Sequence, residues 1–206
     1  MIVSAVGEPP PPTAVLQAVR ALAQGLPIGV PTDTVYGLAV DPFRPGATDR
    51  IFAAKRRPRE VSLPVLVSGV DQALSIATAV PDLALALMAR YWPGPLTLVL
   101  PAKPGTGVDL GDDELTVGVR CPDHLVPNAL AASVGPLATT SANPHGAPPM
   151  ETAEAVATCF GDAVPVILDG GICSGHPSTV VDCTGHDLKL LREGRIPWAE
   201  LVAFTG

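Results

Sequence analysis

Between residues 27 and 191, apolar runs of four to six residues alternate with stretches whose apolar side chains recur at helical spacing. Pro or Gly closes most of these segments. The short runs have strand length and the stretches between them have helix length. That rhythm commits the chain to a sheet covered by helices. Strands are predicted at residues 27–30, 63–68, 96–100, 115–120, 137–140, 164–168, 178–182 and 188–191. Helices are predicted at 14–24, 48–55, 81–91, 125–133 and 152–160, with a short helix or irregular cap at 198–204. Thr13 stands where an N-cap would begin the first helix, and Gly25 where the helix ends. Several strands follow one another near the C-terminus, which favours a mixed sheet over a strictly parallel one. The fold class read from this pattern is α/β, with an open mixed sheet flanked by helices.

A chain of 206 residues can bury a sizeable core without disulfides or metals. Hydrophobic residues make up 47% of it but aromatics only 4%, so Ala, Val, Leu and Ile must build the core. No internal repeat or composition break marks a second domain, and residues 1–206 are read as one unit. The formal net charge of −7 argues against a surface whose main task is gripping nucleic acid or an anionic membrane. The longest apolar stretch, residues 83–89, is far too short to span a bilayer. Met1-Ile2-Val3 leads into Glu8 and a proline run, unlike a secretory signal. The expected setting is the cytosol, where Cys121, Cys159, Cys173 and Cys183 would be reduced and mostly buried. They form no CxxC pair, and no resident metal site is expected.

Four polar segments stand at the ends of apolar runs. Thr32-Asp33-Thr34-Val35-Tyr36-Gly37 offers three hydroxyls and a carboxylate, as turn residues or as readers of a substrate's amine and hydroxyl. Lys55-Arg56-Arg57-Pro58-Arg59 holds four of the 13 basic residues. A helix C-terminus accounts for one cation there but not four. Four neighbouring cations repel unless an anion is near, which points to a phosphate clamp. Thr139-Thr140-Ser141-Ala142-Asn143-Pro144-His145-Gly146 has the pattern of a binding loop or of an ordinary capped turn, and His145 is expected to be exposed. Asp169-Gly170-Gly171 and the segment from Ser174 to Asp182 carry glycines whose N–H groups would be free to meet an anion. No P-loop, GxSxG elbow or GxGxxG fingerprint is present. Arg120 ends an apolar strand, where an unpaired charge is costly. Asp123 is a candidate partner for Arg120 and Glu193 for Arg192, with carboxylate or nucleotide recognition as the sharper alternative.

Taken in order, Pro31-Thr32-Asp33-Thr34-Val35-Tyr36-Gly37-Leu38, the KxR of Lys55 and Arg57, and Trp92-Pro93-Gly94-Pro95-Leu96-Thr97 form a recognisable series. It continues through Val119-Arg120-Cys121-Pro122-Asp123-His124, the SxN of Ser141 and Asn143, Ser178-Thr179-Val180-Val181-Asp182 and Leu191-Arg192-Glu193-Gly194. The chain resembles YrdC-type L-threonylcarbamoyladenylate synthases over about residues 14–197. Ending at Gly206, it resembles their short, single-domain form.

The resemblance implies a YrdC-like fold, a twisted sheet with a concave, basic cavity. It also implies condensation of L-threonine, bicarbonate or CO2, and ATP into threonylcarbamoyl-AMP and pyrophosphate. A separate transferase complex would consume the adenylate for tRNA modification, with weak tRNA contact possible and no membrane partner. By resemblance, Lys55 and Arg57 are the catalytic pair and serve the phosphates. Thr116, Asn143 and Arg192 complete the ATP side, and Thr34, Arg120, Ser141 and Ser178 hold L-threonine. Mg2+ would arrive with the nucleotide, since no dedicated carboxylate cage is visible. Many relatives carry Pro at the position of Ser62, so a looser loop is expected here, and some carry His at the position of Leu66. A non-catalytic RNA-binding module and a carbamoyl-adenylate-forming domain are the alternatives.

Overall fold

The computed structural model describes residues 1–173 and 175–205. In chain order the strands are β1 (Ile2–Ser4), β2 (Ile28–Val30), β3 (Gly37–Val40), β4 (Val65–Leu66), β5 (Leu96–Pro101), β6 (Thr116–Arg120), β7 (Leu137–Ser141), β8 (Val166–Asp169), β9 (Thr179–Asp182) and β10 (Lys189–Arg192). The helices are α1 (Pro12–Ala23), α2 (Ala47–Lys55), α3 (Val70–Ile76), α4 (Asp82–Tyr91), α5 (Leu125–Val134), α6 (Ala153–Phe160) and α7 (Trp198–Thr205). The described strands form one sheet in the order β1-β8-β2-β3-β7-β4-β6-β5-β9-β10. It is mixed, as expected. β8 runs parallel to β1 and β2, β4 to β6, and β5 to β9, while the other neighbours are antiparallel.

Two apolar clusters hold this sheet. In the smaller one, Ala14, Ala18 and Leu22 of α1 meet Val126 and Leu130 of α5 over Ile28, Val166 and Leu168. Alanines at this spacing make a smooth helix stripe, which suits a chain poor in aromatics. The larger cluster gathers Leu38, Ile51, Phe52, Leu87, Met88, Leu98 and Leu100. Fully burying a side chain such as Leu22 or Leu98 contributes about 2 kcal/mol. β3 packs closely on β7 because Gly37 has no side chain: a Cβ there would lie 3.0 Å from Thr139 Cγ2.

Several boundaries differ from expectation. α1 starts at Pro12 with no side-chain cap, so Thr13 lies inside the helix. Proline suits the first turn because its missing N–H would have had no partner there. β3 is buried at every position and therefore shows no alternation to read. β1 and α3 also escaped the sequence reading: β1 is three residues long, and α3 is barely two turns. The predicted strand at 63–68 shrinks to the two residues of β4. Among the described residues, no helix is long and apolar enough to cross a membrane.

Candidate active site

A cavity of about 530 Å³ opens on one face of the sheet, above β3, β7, β6, β5 and β9. Strand alternation builds its floor. Thr116, Gly118 and Arg120 of β6 line it, while Val117 and Val119 are buried in the core beneath. Thr97 and Val99 of β5 continue the same face, followed by Ser178 and Val180 around β9. The structure brings eight of the nine candidate residues into this lining: Thr34, Arg57, Thr116, Arg120, Ser141, Asn143, Ser178 and Arg192. Lys55 is the exception.

The segment after β2 serves as both turn and site. Thr32 Oγ1 accepts from the N–H groups of Thr34 (3.1 Å) and Val35 (3.2 Å), closing the turn. Thr34 faces the cavity, and its hydroxyl accepts from Arg120 Nη1 at 3.0 Å. Arg120 is only 6% exposed. Its Nη2 donates to Asp33 Oδ1 at 2.5 Å and its Nε to Gly94 O at 3.0 Å. Its charge partner is therefore Asp33, not the candidate Asp123, because the 32–36 turn folds over the end of β6. Burial lowers the Arg120 pKa, and the Asp33 carboxylate opposes that shift.

Arg192 is likewise not paired with Glu193. Its Nε and Nη2 donate to Ser178 O at 3.1 and 2.9 Å, and Nη2 also reaches Ser178 Oγ at 3.1 Å. Glu193 instead accepts from Trp198 N–H at the start of α7, a favourable place for an anion. Ser178 Oγ in turn lies 2.9 Å from Thr97 Oγ1. Thr97 is a cavity residue the sequence reading missed, although strict alternation along β5 would have placed it beside Val99 on this face.

Just after β10 the chain runs so close to the segment before β9 that Gly194 has no room for a side chain. A Cβ there would lie 2.2 Å from Pro177 O and 2.4 Å from the Ser178 carbonyl carbon. We expect Gly194→Ala to push β10 away from Ser178 and cost about 2 kcal/mol or more, measured by chemical denaturation. Unchanged stability would show that the strand slides without penalty.

The basic cluster separates into four different environments. Lys55 is 2% exposed, and its Nζ donates to Ser141 O, to Asn143 O (2.6 Å) and to Asn143 Oδ1 (3.2 Å). It therefore braces the binding loop from behind. Burial, with repulsion from Arg57, lowers its pKa to about 8. Arg56 is exposed in a left-handed conformation that ends α2. Arg57 lines the cavity and donates to Val61 O (2.8 Å) and Ser62 O (2.9 Å), so it secures the loop that contains Ser62. Arg59 pairs with Asp49, Asp109 (2.8 Å) and Asp112 (3.2 Å) and lies over the Phe52 ring. The anions that offset the cluster's repulsion thus include three aspartates of the protein itself, and Arg59 serves the fold.

In the braced loop, Ser141 Oγ donates to Asn143 Oδ1 at 2.5 Å, and Asn143 Nδ2 donates to Pro144 O and Ala147 O. Thr116 donates to Asp113 at 2.6 Å, and His145 is exposed. The expectation of free glycine N–H groups at 170–171 does not hold. Gly170 N–H donates to Tyr36 Oη at 3.3 Å and Gly171 N–H to Asp169 Oδ1 at 2.9 Å. Tyr36 Oη also donates to Gly171 O at 2.8 Å, tying the 169–171 turn to β3. Ser174, within the fourth polar segment, lies outside the described residues. Cys121, Cys173 and Cys183 are buried thiols, whereas Cys159 is exposed.

The family profile for Sua5, YciO and YrdC, described as Telomere recombination, matches residues 20–194. The chain belongs to the Sua5/YciO/YrdC family. A Mycobacterium tuberculosis (strain CDC 1551 / Oshkosh) relative is 37% identical over 193 residues, covering 93% of this chain and 89% of its own length. The threonylcarbamoyl-AMP synthase of Bacillus subtilis (strain 168) is 36% identical over 197 residues, which is 93% of this chain but 56% of that protein. This chain therefore spans about half the length of the Bacillus relative. The crystal structure of Pyrococcus abyssi Sua5 complexed with L-threonine superposes with a TM-score of 0.89 at 34% identity, covering all of this chain and 61% of that one.

Proposed function

We propose that this member of the Sua5/YciO/YrdC family is a nucleotidyltransferase that condenses L-threonine, bicarbonate or CO2, and ATP into threonylcarbamoyl-AMP, releasing pyrophosphate. One observation carries the reading: Arg57, Arg120 and Arg192 share a hydroxyl-rich cavity with no carboxylate among its described lining residues. Such a lining suits a polyanionic nucleotide beside an amino acid. The volume lies in the ordinary range for small-molecule sites.

The chemistry asks for positioning and charge neutralisation, not an enzyme nucleophile. The threonine amine first adds to CO2, or to bicarbonate with loss of water, and gives up a proton to become a carbamate. A carbamate oxygen then bonds to the α-phosphorus, and the bond from that phosphorus to the bridging oxygen breaks as pyrophosphate leaves. Arg120 is assigned to the threonine carboxylate, with Thr34, Ser141 and Ser178 meeting its amine and hydroxyl. Thr116, Asn143 and Arg192 hold the nucleotide, and Arg57 answers the phosphates. Lys55 supports that end by holding Ser141 and Asn143 in place. No group of three or more potential metal-ligating side chains occurs among the described residues. Mg2+, brought by the triphosphate, would add charge neutralisation at the phosphates beside Arg57. The adenylate passes to a separate transferase complex that modifies tRNA in the cytoplasm.

The test is pyrophosphate release by the purified protein. We expect release only when ATP, L-threonine and bicarbonate are all present. L-Valine should lower kcat/KM at least about a hundredfold, because groups that hydrogen-bond the missing hydroxyl are left unpaired. Equal turnover without threonine would overturn the assignment. Steep salt-dependent tRNA binding without ATP consumption would favour a binding module instead.

A further inference from the structure

We infer that Gly118 is a side-chain-free floor over which the two substrates meet, and that it decides whether both can be held at once. The inference rests on the synthase reading above. Gly118 lies in the middle of β6, between Thr116, assigned above to the nucleotide, and Arg120, assigned to the amino acid. Alternation turns all three toward the cavity. At the rise of a strand, Thr116 and Arg120 are separated by roughly 13 Å, with Gly118 roughly 7 Å from each. In threonylcarbamoyl-AMP, five bonds join the carboxyl carbon to the phosphorus, on the order of 6 Å. A carboxylate taken at the Arg120 end, with the nucleotide at the Thr116 end, would set the carbamate and the α-phosphorus between them, above Gly118.

The surroundings fit that role. Val99, the register partner on β5, and Pro64, beside β4, flank Gly118 in the lining. Neither side chain offers a hydrogen bond, so this strip positions by shape. The glycine is not explained by its backbone, because its φ lies outside the left-handed region. It is not explained by crowding either. The nearest atoms to a Cβ would be Pro64 Cβ at 3.6 Å, Thr97 Cγ2 at 3.7 Å and Pro64 Cα at 3.8 Å, all ordinary contacts. Glycine within a strand weakens it and commonly marks close approach by a ligand or another backbone. Among the described residues no backbone lies close enough to require it, and the cavity is what a side chain would fill.

The test is the series Gly118→Ala, Gly118→Val and Gly118→Leu. Calorimetry measures L-threonine and ATP binding separately, and pyrophosphate release measures their joint use. Each single affinity should stay within about threefold of wild type. Turnover should fall stepwise, by about threefold or more for Ala and about a hundredfold or more for Val and Leu, the scale of a displacement of about 1 Å at the reacting atoms. Affinity for the product adenylate, which spans both ends, should fall in the same order. A merely structural glycine would lower Tm and both single affinities together. Val or Leu variants turning over within threefold of wild type would overturn the inference, as would loss of affinity for one substrate alone. Where the larger residues prevent folding, unchanged turnover by Gly118→Ala overturns it. Wild type is assayed alongside: if it releases no pyrophosphate with all three substrates, the synthase reading itself fails and this inference falls with it.

Discussion

Arg120→Ala is expected to abolish threonine-dependent pyrophosphate release and to destabilise the fold at the same time. The guanidinium makes three anchoring contacts, to Asp33, Thr34 and Gly94, in a nearly dry environment. Removing it strands the Asp33 carboxylate, whose other oxygen is already buried without a hydrogen-bond partner among the described residues. Breaking a buried pair from one side costs about 3–5 kcal/mol, much of it from the charge left behind. The two losses can be separated. Arg120→Met combined with Asp33→Asn removes the stranded charge, so stability should recover by about half or more while turnover stays lost. Arg120→Lys should keep the charge but not the planar fork, and restore little activity. Chemical denaturation and the pyrophosphate assay measure the two effects. Wild-type stability in the single alanine variant would show that the Asp33–Arg120 pair contributes little.

Lys55→Met and Arg57→Ala are expected to fail for different reasons, although the two residues lie two positions apart. Methionine at 55 leaves Ser141 O, Asn143 O and Asn143 Oδ1 without their shared donor. Ser141 O keeps the Asn143 N–H and Asn143 Oδ1 keeps Ser141 Oγ, so Asn143 O is the group that loses its donor, and the variant should lose about 1–3 kcal/mol. Arg57 is only half-buried, and its bonds go to loop carbonyls near solvent. Arg57→Ala should lose no more than about 1 kcal/mol yet lower turnover about a hundredfold, by removing a cavity-lining charge that we assign to the phosphates.

A pH series sharpens the Lys55 assignment. The folded chain holds the Lys55 proton less tightly than the unfolded chain, about 8 against an ordinary 10.5. Between those values the unfolded state binds more protons, so this group makes stability rise with pH. The stability gap between wild type and Lys55→Met should therefore widen from pH 8 toward pH 10. A gap that stays level would mean that the ammonium is not held out of water. Comparison with the single methionine variant matters because Cys183, whose pKa burial raises to about 12, contributes in the opposite direction.

The basic cluster shows what a linear reading can and cannot supply. The excess of charge at 55–59 was visible, and so was its position at the end of a helix. Its division was not. Asp109 and Asp112, which pair with Arg59, lie in the long loop after β5, and only folding brings that loop against α2. Lys55 belongs to the last turn of α2, and which way that turn faces depends on where β7 ends. The same limit explains Arg120. Its nearest acidic neighbour in the sequence, Asp123, is not its partner, whereas Asp33 lies 87 residues away.

The chain by itself determined the alternation of strands and helices, the mixed sheet, the hydroxyl- and arginine-rich segments and the family. All of these rest on the period of apolar residues and on short motifs, which are local properties of the chain. Only the tertiary structure decided which charges meet, which cations face the cavity and where the floor lacks a side chain. The sheet order places β6 between β4 and β5, and folds the 32–36 turn over its end. Ion pairs and cavity walls depend on that order, because electrostatic and packing energies follow distance in space rather than separation along the chain.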